Sequence, residues 1–170
     1  MTLLHKKNEL VGGVGDSHGA MKKRIISNLN RLIAVNIDRS LEYRKAMNEV
    51  EDKALKPVFQ RHYQQSLSFR YTLEERVRTE GGIVSYASYP RLVFAQLWAD
   101  LNSLFPPRRA DVLLEACEQR EMESIEHYKK ITAQLVFPPR TAEEIYFQVE
   151  SIESAHREIV SLSALDALFI

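Results

Sequence analysis

The chain has 170 residues, of which 45% are hydrophobic and 27% charged, a composition typical of one soluble globular domain and unlike that of disordered or collagen-like chains. Its 23 Lys and Arg residues balance 23 Asp and Glu residues, so it lacks the basic excess expected of a protein that binds nucleic acid or an anionic membrane. One cysteine excludes an intramolecular disulfide, and neither a signal peptide nor a run of ~18 apolar residues is found, so a cytoplasmic protein is expected.

Residues 1–20 are predicted to form a flexible amino-terminal tail, followed by a single domain over residues 21–170. The run Gly12-Gly13-Val14-Gly15 is similar to part of a phosphate-binding loop. No strand is predicted before it and no Gly-Lys-Ser/Thr sequence ends it, so a flexible linker is the preferred interpretation.

Two long helices are predicted to open the domain. The first starts near Met21 and carries an inward stripe at steps of three and four residues, and Asp52 suits the N-cap of the second. The stripe of the second helix is interrupted near its middle by His62 and Ser66, and Gly81-Gly82 ends that helix. The inward stripe of the first helix consists of Leu29, Leu32, Ile33, Asn36, Ile37, Ser40, Tyr43 and Met47.

Three more helices are predicted after the glycine pair. A shorter one covers about residues 90–104, and a third long helix covers about residues 110–135 with Glu121 and Cys117 on its inner stripe. The fourth long helix begins with Thr141 and Glu144, which have the spacing of a capping box.

The breaks between these helices indicate the topology. Phe-Pro-Pro-Arg occurs at 105–108 and again at 137–140, and we interpret both copies as helix boundaries rather than as a peptide- or anion-binding motif. No stretch alternates polar and apolar residues for long, so an all-α protein is expected. About fifteen helical residues, ~22 Å, between the second and third long helices can run back along a bundle. This favours a ferritin-like four-helix bundle with a long crossover that contains the fifth, shorter helix.

Counting from the two short turns places Asn36, His62, Glu121 and His156 at nearly one level, in the middle of the bundle. An unpaired buried His or Glu costs several kcal/mol, so these residues require partners. One explanation is a hydrogen-bonded polar layer completed by neighbours such as Tyr43. The other is a carboxylate–histidine site for iron, manganese or zinc, of the kind built from Glu-x-x-His pairs in four-helix bundles. Its ligands would be His62, Glu121, Glu153 and His156.

The chain resembles an uncharacterised bacterial family of ferritin-like four-helix bundles, known only as a domain of unknown function. The resemblance runs from about Leu29 to Leu162 and rests on Leu29–Ile33, Asp38-Arg39 with Tyr43, Leu55–Phe59, Gln64–Ser66, Phe69, Gly81-Gly82, Trp98, Cys117-Glu118 with Glu121, and Ala155-His156. The chain departs from the family pattern at Arg120 and Met122, where a glycine and an acid are usual, and at His62. The resemblance implies a ferritin- or rubrerythrin-like fold with a vestigial or altered metal site, and no established activity.

Two functions follow as hypotheses. The first is a non-enzymatic bacterial bundle protein that acts by association with a second copy or a protein partner, as in a stress response. The apolar end Leu168-Phe169-Ile170 supports association, although it could equally fold back onto its own bundle. The second is a ferritin-like iron, manganese or zinc protein, with Glu121 and its neighbours as ligands. The first hypothesis is preferred, and no catalytic residue is assigned.

Overall fold

The computed structural model describes residues 2–86 and 108–168, with side chains described from residue 17 onward. In these residues the chain is all-α, as predicted, and contains four helices and no strand. The helices are α1 (Thr2–Glu49), α2 (Lys56–Thr79), α3 (Ala110–Gln134) and α4 (Pro139–Asp166). Within the same residues, none of the helices combines the length and apolarity needed to span a membrane.

The helix boundaries differ from the predicted ones at the amino-terminal end of the chain. Helix α1 begins at Thr2, so its backbone is helical through the segment predicted as a tail, and the division into tail and domain stays a prediction. The predicted short helix over 90–104 lies outside the described residues. The second Phe-Pro-Pro-Arg copy is confirmed as a helix boundary, because α4 begins at its second proline, Pro139.

Two predicted caps are wrong. Helix α2 begins at Lys56, and the Asp52 carboxylate instead accepts a hydrogen bond from the Ala54 N–H at 2.8 Å, which closes a turn before the helix. At the start of α4 no side chain caps the helix. Glu144 does not reach back to complete a capping box, because Arg76 of α2 binds both of its carboxylate oxygens, at 2.6 and 2.8 Å.

Contacts between helices fix their directions. Early α1 meets the end of α3 through Arg24 and Gln134, and the end of α1 meets Arg108, just before α3, so these helices are antiparallel. Helix α2 is antiparallel to α1, since Asn30 bonds the Ile83 carbonyl and Arg39 bonds Gln65. Helix α4 is antiparallel to both α2 and α3, through the contacts Arg76–Glu144, His62–Glu158 and Tyr128–Gln148. Helices α1 and α4 therefore run one way, and α2 and α3 the other.

Helix α2 ends just before the glycine pair Gly81-Gly82, as predicted from the sequence. Gly81 adopts a φ of 68°, and the Gly81 and Gly82 N–H groups donate to the carbonyls of Arg78 and Val77, both at 2.8 Å, as in a Schellman motif. A Cβ at Gly82 would lie 2.7 Å from Cγ2 of Ile26. The absence of a side chain at Gly82 thus lets the chain leave α2 directly against α1.

The buried apolar side chains form two clusters, one towards each end of the bundle. The first contains Ile25, Leu29, Leu32, Ile33, Ile37, Phe69, Leu73, Val77, Tyr128, Ile131, Leu135, Phe137, Ile145 and Ile152. The second contains Tyr43, Ala46, Val50, Leu55, Phe59, Leu113, Leu114, Cys117 and Ile159. Buried polar residues, among them Arg39, Ser66 and Glu121, occupy the level between the clusters.

Candidate functional site

A completely buried ion pair lies at the centre of the bundle. Arg39 on α1 and Glu121 on α3 are both 0% exposed. The guanidinium donates from Nε to Oε2 at 3.1 Å and from Nη2 to Oε1 at 2.7 Å, the bidentate geometry that arginine forms with carboxylates. The Tyr43 hydroxyl donates a third hydrogen bond to Oε1 of Glu121, at 2.6 Å. Both oxygens of this carboxylate are therefore already bonded.

Hydrogen bonds extend this pair to all four helices. Arg39 donates from Nη2 to Gln65 Oε1 of α2 at 3.1 Å and from Nη1 to Asn36 Oδ1 at 3.4 Å. Asn36 donates to the Tyr128 hydroxyl of α3, which donates to Gln148 Oε1 of α4, both at 2.6 Å. We refer to Asn36, Arg39, Tyr43, Gln65, Glu121, Tyr128 and Gln148 as the polar layer.

The charges of the polar layer stabilise each other against the cost of burial. Burial disfavours the charged guanidinium, but the Glu121 carboxylate outweighs it and raises the pKa of Arg39. Burial and the same carboxylate hold the pKa of Tyr43 well above its ordinary value. Burial also raises the pKa of Tyr128. Both phenols therefore remain neutral donors, and the Arg39 guanidinium stays charged, across the physiological pH range.

The four predicted metal ligands occupy different surroundings. Glu121 lies in the polar layer, and His62 contacts Glu158 at the junction of α2 and α4. Glu153 is partly exposed and pairs with Lys129 at 2.7 Å. His156 is half-buried, and its Nε2 has no hydrogen-bond partner. Across residues whose side chains the structure describes, no three His, Cys, Asp or Glu side chains come together as a metal-binding group.

Arg39 is the central residue of the polar layer, and it was not identified from the sequence as a functional candidate. Its position carried a signal, because it lies three residues after Asn36 and four before Tyr43, both of which were predicted to face inward. Gln148 and Glu158 were also missed. The prediction that Asn36, His62 and Glu121 lie inside is confirmed, since all three are buried.

A second ion-paired group joins α2 to α4 beside the polar layer. His62 is 4% exposed, and its Nε2 lies 2.9 Å from Oε2 of Glu158, whose other oxygen accepts from Arg61. The His62 ring packs on Tyr43 with centroids 5.1 Å apart, while its buried Nδ1 has no partner. Burial lowers the pKa of His62, opposed by the charges of Glu121 and Glu158 and aided by Arg61.

The His62 environment predicts a loss of stability in mild acid. Because its pKa is lowered on folding, the unfolded chain binds the proton first, and the free energy of unfolding falls as the pH drops below about 6.5. Urea unfolding at pH about 7.5 and about 5.5 measures this loss. His62→Gln should reduce the difference between the two pH values, whereas His127→Gln, at an exposed position, should not. An equal acid loss in wild type and His62→Gln would contradict the prediction.

Cys117 agrees with its predicted role as a small buried side chain. It is 0% exposed within the second apolar cluster, and burial together with the Glu42 and Glu121 charges raises the pKa of its thiol. The thiolate required of a nucleophile is thus disfavoured.

The class of protein is now defined as an all-α bundle with an arginine–glutamate pair at its centre. Residues 24–134 match the family described as a domain of unknown function (DUF2383), and the chain belongs to this family. The matched range includes α2, α3 and the part of α1 that carries Arg39. No curated protein matches the chain. The resemblance to a family of unknown function is therefore confirmed.

Proposed function

We propose that this protein is a ferritin-like four-helix bundle with a non-enzymatic, cytoplasmic role, and that it acts by association with a second copy or a protein partner. The ferritin-like assignment is supported by the helix directions, because parallel α2 and α3 require a long connection between opposite ends of the bundle. A role in a bacterial stress response is part of the same proposal.

The saturation of the polar layer carries the proposal. Both oxygens of Glu121 accept hydrogen bonds, and the Arg39 guanidinium is bonded to three side chains of the layer. A reaction centre needs groups that are open to a substrate or cofactor, whereas the charged groups of the polar layer are bonded to other residues of the layer. In this proposal the bundle centre is structural, and the function lies on the outer surface.

The outer surface of α4 supports association. Tyr146 and Phe147 are 60% and 63% exposed, and Leu165 and Leu168 near the end of the described chain are exposed as well. Tyr146 and Phe147 are neighbours in the chain and Leu165 and Leu168 are one turn apart, and exposed apolar side chains grouped in this way support association.

The alternative is a ferritin-like iron, manganese or zinc protein with ligands His62, Glu121, Glu153 and His156. One observation favours it: ring nitrogens of both His62 and His156 are buried without a partner. The donor set does not fit, however, because Glu121 is bonded to Arg39 and Tyr43 and Glu153 to Lys129.

One preparation tests both functions. The protein, purified without chelator, is expected to contain no stoichiometric metal and to sediment at a mass above that of the single chain. The matched variant is His62→Gln with His156→Gln, because it leaves the central ion pair intact. Stoichiometric metal that this variant loses would overturn the non-metal proposal. A monomer that captures no partner would overturn association.

A further inference from the structure

A groove lies between α1 and α3, on the outside of the bundle. Its volume is about 390 Å³, within the range of small-molecule sites. Arg31 and Arg120 line it from facing helices, and the hydroxyls of Ser27 and Ser85 line it as well. The remaining lining residues are Asn30, Ala34, Val35, Asp38, Glu123, Ser124 and His127.

Arg120 lacks the two-pronged contact with one carboxylate that three other arginines make. Arg39, Arg76 and Arg109 each direct Nε and Nη2 together onto one carboxylate. Arg120 instead contacts Glu123 through Nη1 at 2.6 Å, and its Nε is buried without a hydrogen-bond partner. A buried charged donor left unpaired is costly, so a ligand that accepts from it gains affinity.

The guanidinium of Arg31 and the Nε of Arg120 are donors of the groove that no carboxylate binds in the described residues. Arg31 donates to the neutral Asn28 amide at 3.3 Å and has no ion pair among the side chains that the structure describes. Glu123 binds neither of these donors, because its two oxygens accept from Nη1 of Arg120 and from the neutral Gln119 amide. Asp38, the other carboxylate of the lining, also interacts with another group.

We propose that this groove binds a small oxyanion, a carboxylate or phosphate group, between Arg120 and Arg31. The anion would accept from Nε of Arg120, in the two-pronged geometry that Arg39, Arg76 and Arg109 use, and from the Arg31 guanidinium opposite. The apolar side chains of Ala34 and Val35 would contact the uncharged part of a larger ligand. The site is separate from the polar layer and goes beyond the association function proposed above.

The test is a titration of the full chain with inorganic phosphate, followed by amide chemical shifts and compared with sodium chloride at the same ionic strength. Saturable shifts are expected at Ser27, Ser85, Arg120 and His127. Arg120→Gln should weaken binding roughly tenfold or more, because it removes a charge-assisted hydrogen bond. Arg140→Gln is the control, since Arg140 is 78% exposed and lies outside the groove; it should bind as wild type.

Acetate, titrated in the same way, distinguishes a carboxylate preference from a phosphate preference. Arg120→Lys keeps the charge but loses the paired donors, and it should also bind more weakly than wild type. The proposal would be overturned if sodium chloride at the same ionic strength produced the same shifts as phosphate and acetate. So would wild-type affinity in both Arg120→Gln and Arg120→Lys.

Discussion

Replacing Arg39 with methionine is expected to lower the free energy of unfolding by about 3–5 kcal/mol, because it leaves the buried Glu121 carboxyl group without its ion-pair partner. For a chain of this size that loss corresponds to a decrease in Tm of roughly 6–20 °C. Urea unfolding followed by circular dichroism measures it. Arg31→Met, at an exposed position of the same helix, is the control and should change stability by less than about 0.5 kcal/mol.

The double variant Arg39→Met with Glu121→Leu separates the loss of a partner from the loss of the pair. With both charges removed, no ionised group is left unpaired, so the double variant should be more stable than Arg39→Met alone. A double variant that is as unstable as the sum of the two single changes would show that the residues do not act as a pair. A stability of Arg39→Met equal to that of Arg31→Met would refute the burial argument itself.

Tyr128→Phe is expected to cost roughly 2–4 kcal/mol, although it removes one oxygen atom and no apolar contact. The hydroxyl accepts from Asn36 and donates to Gln148, so its loss leaves one donor and one acceptor buried and unpaired. The measurement is again urea unfolding, with Tyr146→Phe as a control because Tyr146 is 60% exposed. A cost as small as that of the control would mean that these polar groups find other partners.

The fold was largely predictable because it depends on apolar periodicity within single helices. Steps of three and four residues located the inward stripes, and the glycine pair located the end of α2. The same periodicity placed Asn36, His62 and Glu121 inside the bundle. Local pattern is sufficient for such conclusions, since each requires only that one face of a helix be buried.

The partners within the site could not be predicted because they depend on contacts between distant parts of the chain. Arg39 and Glu121 are 82 positions apart, and nothing near either residue indicates the other. Glu144 shows the same limit, since its local sequence predicts a cap but Arg76 of another helix binds it. An ion pair between two helices is stronger than a weak local preference for a helix cap, and no local sequence pattern predicts such a pair.

The polar layer between two apolar clusters also determines how far the helices can slide past each other. Displacing α1 along α3 by one turn, about 5.4 Å, would take Arg39 away from Glu121 and carry it towards apolar side chains. Apolar packing alone tolerates such a slip, because leucine and isoleucine positions recur every turn. The buried Arg39–Glu121 pair does not recur along the two helices, so it restricts α1 and α3 to one alignment.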